Sequence, residues 1–245
     1  MKKKGQVTIF IILGILLVAA VFIFFIWVRP TLDIDDGYIE GFEGCVSDAA
    51  KQSIEKIEKT AGFLDDEFSY SYMGYRVPYL CYTNLFYSTC TVQKPFLKQH
   101  FEESLTKDLR EDINLCYSNS LEDLKAKGHE VTSGTPTYSV VLDPGVLRIE
   151  IDAPTTVGQS RFKRFNVQMP SPTYEMIGLA TTLVQFESVY GDSEISSLMI
   201  LYPDYIIDKL KQGDGTTLYF IIHKGFGNEL RFASRSLVFP PGHLI

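Results

Sequence analysis

Glu187 is the residue of this 245-residue sequence whose type and position ask most directly for chemistry. At 100° per residue it projects into the arc filled by Met176, Leu179, Ala180, Leu183, Val184 and Phe186. A carboxylate on an apolar helix face needs a partner or a raised pKa. Its expected roles are therefore a functional acid, or a side chain that pairs with an arginine or reaches water at the helix end. The pattern S-x-x-K occurs at Ser53–Lys56 and Ser104–Lys107, the spacing of a serine nucleophile and a lysine base, but both fall in mid-helix. The accompanying S-D-N and K-T-G motifs are absent, as are G-x-S-x-G, H-E-x-x-H, G-K-[ST] and G-x-G-x-x-G. His100, His129, His223 and His243 are scattered. Asp33, Asp35, Asp36 and Gly37 fall in the wrong register for a calcium loop, without the closing glutamate. No cofactor or metal is expected, and the chain reads as a non-enzyme, with an unrecognised extracytoplasmic hydrolase as an alternative.

Two stretches read as binding surfaces. Tyr70, Tyr72, Tyr75 and Tyr79 alternate along a hairpin over 68–82 and share a face, which can stack on sugar rings or pack on a helix. Arg161, Lys163 and Arg164 form a basic island that can meet lipid head groups, wall polymer or an acidic partner, or serve as a charged edge strand. Cys45, Cys81, Cys90 and Cys116 are even in number, and no C-x-x-C or close Cys/His pair suggests zinc. Three pairings are possible. The preferred one closes a short loop with Cys81–Cys90 and joins two helices with Cys45–Cys116.

These residues need elements to position them. Val7 to Val28 carries no charge, follows Lys2, Lys3 and Lys4, and is long enough to cross a bilayer as a helix. The positive-inside rule then predicts a single-pass cell-membrane protein, amino terminus cytoplasmic and residues 31–245 extracytoplasmic. An acidic linker spans 31–37. A helix is predicted over 38–61, on the stripe Phe42, Val46, Ala50, Ile54, Ile57 and Ala61, and a second over 95–117, on Leu97, Phe101, Leu105, Leu109, Ile113 and Cys116. A shorter helical piece covers 120–127. Strands follow at 136–142 and 146–153 around Asp143-Pro144-Gly145, and at 161–169. Ser171-Pro172 starts a buried helix that runs to about 190. Short helices at 193–201 and 205–211 and a last hairpin, 218–223 with 230–239, complete the pattern. The expected architecture is α+β: an N-terminal transmembrane helix (1–30), the linker, then a disulfide-stapled extracytoplasmic domain of helices packed on antiparallel β-hairpins. That domain divides into a helical subdomain with the aromatic hairpin and cysteines (38–128) and an α+β subdomain (129–245).

Lys2-Lys3-Lys4-Gly5-Gln6 before the apolar run resembles the class III signal of archaeal type IV pilin-like proteins. The resemblance implies peptidase cleavage between Gly5 and Gln6, with Thr8 matching the small hydroxyl residue of the family. Phe10 stands where the family carries the glutamate that docks subunits. The whole chain also resembles a group of uncharacterised single-pass archaeal surface proteins, a likeness that brings no activity. The sequence has 23 basic and 30 acidic residues, and three of the basic ones precede the apolar run. So acidic a remainder argues against nucleic acid as a partner. The expected partners are membrane lipid and a protein or cell-wall polymer outside the cell. The functional expectation is a membrane-anchored cell-surface protein with a non-catalytic binding or structural outer domain. A pilin-like filament subunit is the first alternative.

Overall fold

The computed structural model describes residues 14–19, 21, 23, 33–36, 39, 41–65 and 68–238. Helix α1 (Phe42–Lys59) buries the predicted stripe: Phe42, Val46, Ala50, Ile54 and Ile57 all face the core. It ends where Ala61 and Gly62 turn left-handed and the Gly62 N–H bonds the Ile57 carbonyl. Gly62 is required there, because a Cβ would lie 2.8 Å from the His100 ring. Helices α2 (Leu97–Asp108) and α3 (Arg110–Ala126) form one run interrupted at buried Leu109, where the sequence suggested one helix and a separate short piece.

Two sheets enclose these helices. In the first, β7 (Val146–Val157) pairs antiparallel with β8 (Ser160–Pro170) on one side, and with β5 (Val131–Ser133) and β6 (Thr137–Asp143) on the other. Leu142, Leu147, Ile149, Ile151, Phe165, Val167 and Met169 point inward, and polar residues alternate outward. In the second, the strand order is β2 (Ser69–Tyr72), β3 (Tyr75–Tyr82), β11 (Glu229–Arg235), β10 (Thr216–His223) and β9 (Tyr205–Lys211), with β4 (Thr91–Val92) beside β3. Helix α4 (Thr173–Tyr190) lies on the inner face of that sheet, and α5 (Ser196–Leu201) leads into β9. One apolar cluster runs from Ile39 to Phe232 and takes in both halves of the chain.

Several expectations are corrected. Among the described residues no helix is long and apolar enough to cross a membrane. This overturns the transmembrane helix expected over 7–28 and the single-pass cell-membrane localisation built on it. The described residues of that run, 14–19, 21 and 23, are helical. The remainder lies outside the described residues. Within the expected linker, β1 (Asp33–Asp36) pairs parallel with β8. The antiparallel scheme is broken a second time where β11 pairs parallel with β3. Tyr205–Lys211 is a strand, not a helix, because its Tyr-Ile-Ile run completes the ladder with β10.

The preferred cysteine pairing is present: Cys45–Cys116 ties α1 to α3, and Cys81–Cys90 ties β3 to the segment before β4. Their sequence separations are 71 and 9 residues. Loop-closure entropy then predicts that replacing Cys45 and Cys116 by alanine costs about 4 kcal/mol, against about 3 kcal/mol for the Cys81–Cys90 pair. Urea unfolding of the two double variants measures the difference. A larger loss from the short loop would contradict the entropic account.

Candidate functional site

A cleft of about 470 Å³ opens where α1, the end of β8 and the β10–β11 turn meet. Ser47, Lys51, Ile54 and Glu55 line it from α1, at the spacing that puts residues on one helix face. Gln168, Met169 and Pro170 line it from β8, and Ser171 and Pro172 from the start of α4. Phe226, 54% exposed, and Asn228 close it from the turn. His223 shapes that turn, its Nδ1 accepting the Gly225 and Phe226 N–H groups at 3.1 and 3.0 Å.

A second chamber of about 140 Å³ shares Glu55, Phe226 and Asn228 with the first and adds Glu58, Lys59, Gly227 and Glu229. Glu58 is fully buried. Its Oε1 accepts the Thr173 hydroxyl and its Oε2 accepts the Asn228 amide, each at 2.7 Å. Because Thr173 gives its proton to Glu58, the Ser171 hydroxyl 2.6 Å away must donate to Thr173. Burial pushes the Glu58 carboxyl up to about 7; Thr173, Asn228 and Lys59 pull it down, and Glu55 adds to the rise. Glu58 was not singled out from the sequence, although the signal was present. It follows Ile54 by four and Ile57 by one, on the same buried stripe that exposed the anomaly of Glu187 on its own helix.

Glu187 is buried as expected, with neither expected partner. The Tyr219 hydroxyl donates to its Oε1 and the Ser234 hydroxyl to its Oε2 at 3.1 Å. Ser193 lies 2.7 Å from the Tyr219 oxygen, Cys90 Sγ is 3.5 Å from Ser234, and Lys209 bonds the Ser193 carbonyl and Asp192. Burial raises the Glu187 carboxyl; Tyr219, Lys209 and Ser234 oppose the rise and Asp192 adds to it. Glu187 lines neither chamber of the cleft. It joins α4 to the second sheet.

The other sequence candidates are dispersed. Tyr79 is buried, Tyr70 and Tyr72 are half-buried, and Tyr75 lies under the Arg231 guanidinium, 4.7 Å from the ring centre. Tyr70, Tyr72 and Tyr79 pack with Val77, Leu218, Phe220 and Ala233 on the outer face of the second sheet, rather than on a helix. Arg161, Lys163 and Arg164 lie on β8, where Asp33 is the ladder partner of Arg161 and Asp36 of Arg164. The basic island is therefore flanked by an acidic strand of its own chain. Gly5 and Gln6 lie outside the described residues. Ser53 and Lys56 do not face each other as a dyad, because both bond Asp108, at 2.8 and 2.5 Å. Among the described residues no group of three or more His, Cys, Asp or Glu could hold a metal ion.

Two predictions follow the carboxylates. Folded Glu58 keeps its proton up to about pH 7, whereas an ordinary glutamate loses it near 4.5. Between these values the folded chain binds more protons, so this contribution is complete below pH 4.5 and is lost as pH rises through 7. The loss is about 3 kcal/mol at most. Glu58→Gln gives up one of the two acceptors but does not titrate, so its stability should start lower and fall less steeply over that interval; a profile parallel to wild type in denaturant titrations would refute this assignment. Tyr219→Phe removes a donor from buried Glu187 and should cost about 1–3 kcal/mol. Tyr75→Phe, exposed on the opposite face, should cost far less in the same titration.

No protein-family model matches this chain, and neither the curated proteins nor the solved structures include a significant match to it.

Proposed function

We infer that the domain is a non-catalytic binding module that takes its ligand in the cleft between α1, the end of β8 and the 224–228 turn. The observation that carries this reading is how the polar groups of the cleft are engaged. Both oxygens of Glu58 are held by Thr173 and Asn228. No histidine or cysteine lines the cleft to activate its hydroxyls, Ser47 and Ser171, and the Ser171 hydroxyl is already given to Thr173. What remains is suited to contact: an exposed aromatic ring, apolar Ile54 and Met169 beneath it, and the polar side chains of Lys51, Glu55 and Gln168 at its border.

The rival reading is a hydrolase that uses Glu58 as a general acid, since a carboxyl near 7 is tuned for that work. A panel of chromogenic ester, peptide and glycoside substrates, read from pH 5 to pH 8, separates the two. The binding reading expects no turnover above the buffer rate. Turnover that disappears in Glu58→Gln while the variant stays folded would sink it.

The pilin-like reading makes a separate demand, a mature amino terminus at Gln6, and mass spectrometry of the purified chain checks it.

A further inference from the structure

Three successive residues of one strand line the cleft: Gln168, Met169 and Pro170. Alternate residues of a strand point to opposite faces of its sheet, so a cavity that touches three in a row lies along the edge, where backbone groups point sideways. That edge is open. β1 pairs with β8 from Arg161 to Arg164, and beyond it no described strand lies on that side. The fold treats its other exposed edge differently. On β6, the Val140 N–H bonds the Thr106 hydroxyl at 3.3 Å and the Leu142 N–H bonds the Glu102 carboxylate at 2.9 Å, both from α2. The ladder with β7 holds the backbone groups of Val167 and Met169, so the edge beside the cleft presents the Gln168 N–H and carbonyl and the Pro170 carbonyl; among the described residues no side chain caps the Gln168 N–H in this way.

Helix α1 forms the facing wall. Its Phe42 ring meets Phe165, 5.4 Å between centres, and its Glu58 meets Thr173 just after the strand, so the helix runs beside β8 in the same direction. A strand edge on one side and a helix flank on the other bound a groove shaped for an extended chain.

We propose that the ligand of this cleft is an extended peptide segment, added as a strand to the free edge of β8 at Gln168–Pro170, with its side chains read by α1 and Phe226. The proposal rests on the binding reading above and names its ligand class. Three residues of edge span about 10 Å, so three or four ligand residues enter the ladder. Pro170 has no N–H and offers only its carbonyl. Alternate ligand side chains turn inward, where Ile54 and Met169 form an apolar floor that fits one central aliphatic residue. Lys51 and Glu55, one turn apart on the wall, meet polar groups on either side of it.

The full chain is tested on an array of end-blocked random peptides of about eight residues with leucine fixed at the centre. The control is Lys51→Trp, which fills the cleft from an exposed position and should leave the unfolding midpoint unchanged. Wild type should retain a subset of peptides at least about tenfold more strongly than the variant. A retained peptide should slow amide hydrogen exchange at Gln168, whose N–H faces the edge, while Val167 and Met169 are already held in the ladder with β7. Equal retention by the two chains, or binding that leaves β8 exchange unchanged, overturns the proposal. A glycan array run beside it separates this failure from that of the binding reading. Glycans retained by wild type and lost in Lys51→Trp, with no peptide retained, would overturn the peptide and keep the binding module. Retention of neither class overturns both.

Discussion

Helix α1 has one face that must be covered along its whole length, and that requirement arranges the rest of the molecule. Its apolar stripe meets the inner face of one sheet through Phe42 and Phe165, and the helix also contacts β11 of the other sheet and both α2 and α3. The Cys45–Cys116 bridge and the edge-on contact of Phe42 with Tyr117 fix it to α3. A polar residue on that covered face cannot keep its side chain in water. Glu58 lies on the buried side, and its two oxygens are satisfied only because the start of α4 and the β10–β11 turn deliver Thr173 and Asn228 to it. One carboxyl thereby ties three elements that are far apart in the chain. Leaving either donor unmatched would cost about 1–3 kcal/mol, comparable to a substantial core substitution.

The same physics acts on Glu187 with a different outcome. Each carboxyl is raised chiefly by burial, and each is held by two uncharged donors rather than by a cation. Glu187 is enclosed between α4 and the second sheet, where Tyr219, Ser193 and Ser234 surround it. Glu58 sits at the end of a helix beside a turn, and that boundary leaves a cleft. A perturbed carboxyl alone does not mark a working site. The adjoining space does, and it arises where elements end rather than where they pack.

Much of this was legible in the sequence because it is local. The stripes of α1 and α4, the Asp143-Pro144-Gly145 hairpin and the cysteine pairing follow from spacing and turn chemistry. The unread parts are set by partners distant in the chain. Tyr205–Lys211 has an apolar run that suits helix or strand, and pairing with β10 decides it. The parallel pairings of β1 with β8 and of β3 with β11 have no local signal at all. The transmembrane expectation rested on a long uncharged apolar run and the lysines before it, and no described helix is long and apolar enough. At the site, Glu58 was within reach of the same periodicity argument that singled out Glu187. Phe226, Asn228 and Gln168 were not, because nothing in their own neighbourhoods brings them together.

The treatment of strand edges links these points. An open edge presents unpaired backbone groups, and a fold either covers it, charges it or uses it. β6 is covered by Glu102 and Thr106, and the first half of β8 is covered by β1, whose acidic residues fall beside the basic run in the ladder. The ladder of β1 with β8 ends at Asp36 and Arg164, and α1 begins at Phe42. The last residues of β8 are then left facing a helix flank across a gap. Among the described residues the open edge and the cleft therefore coincide: both lie past the last ladder pair of β1, where α1 faces the end of β8.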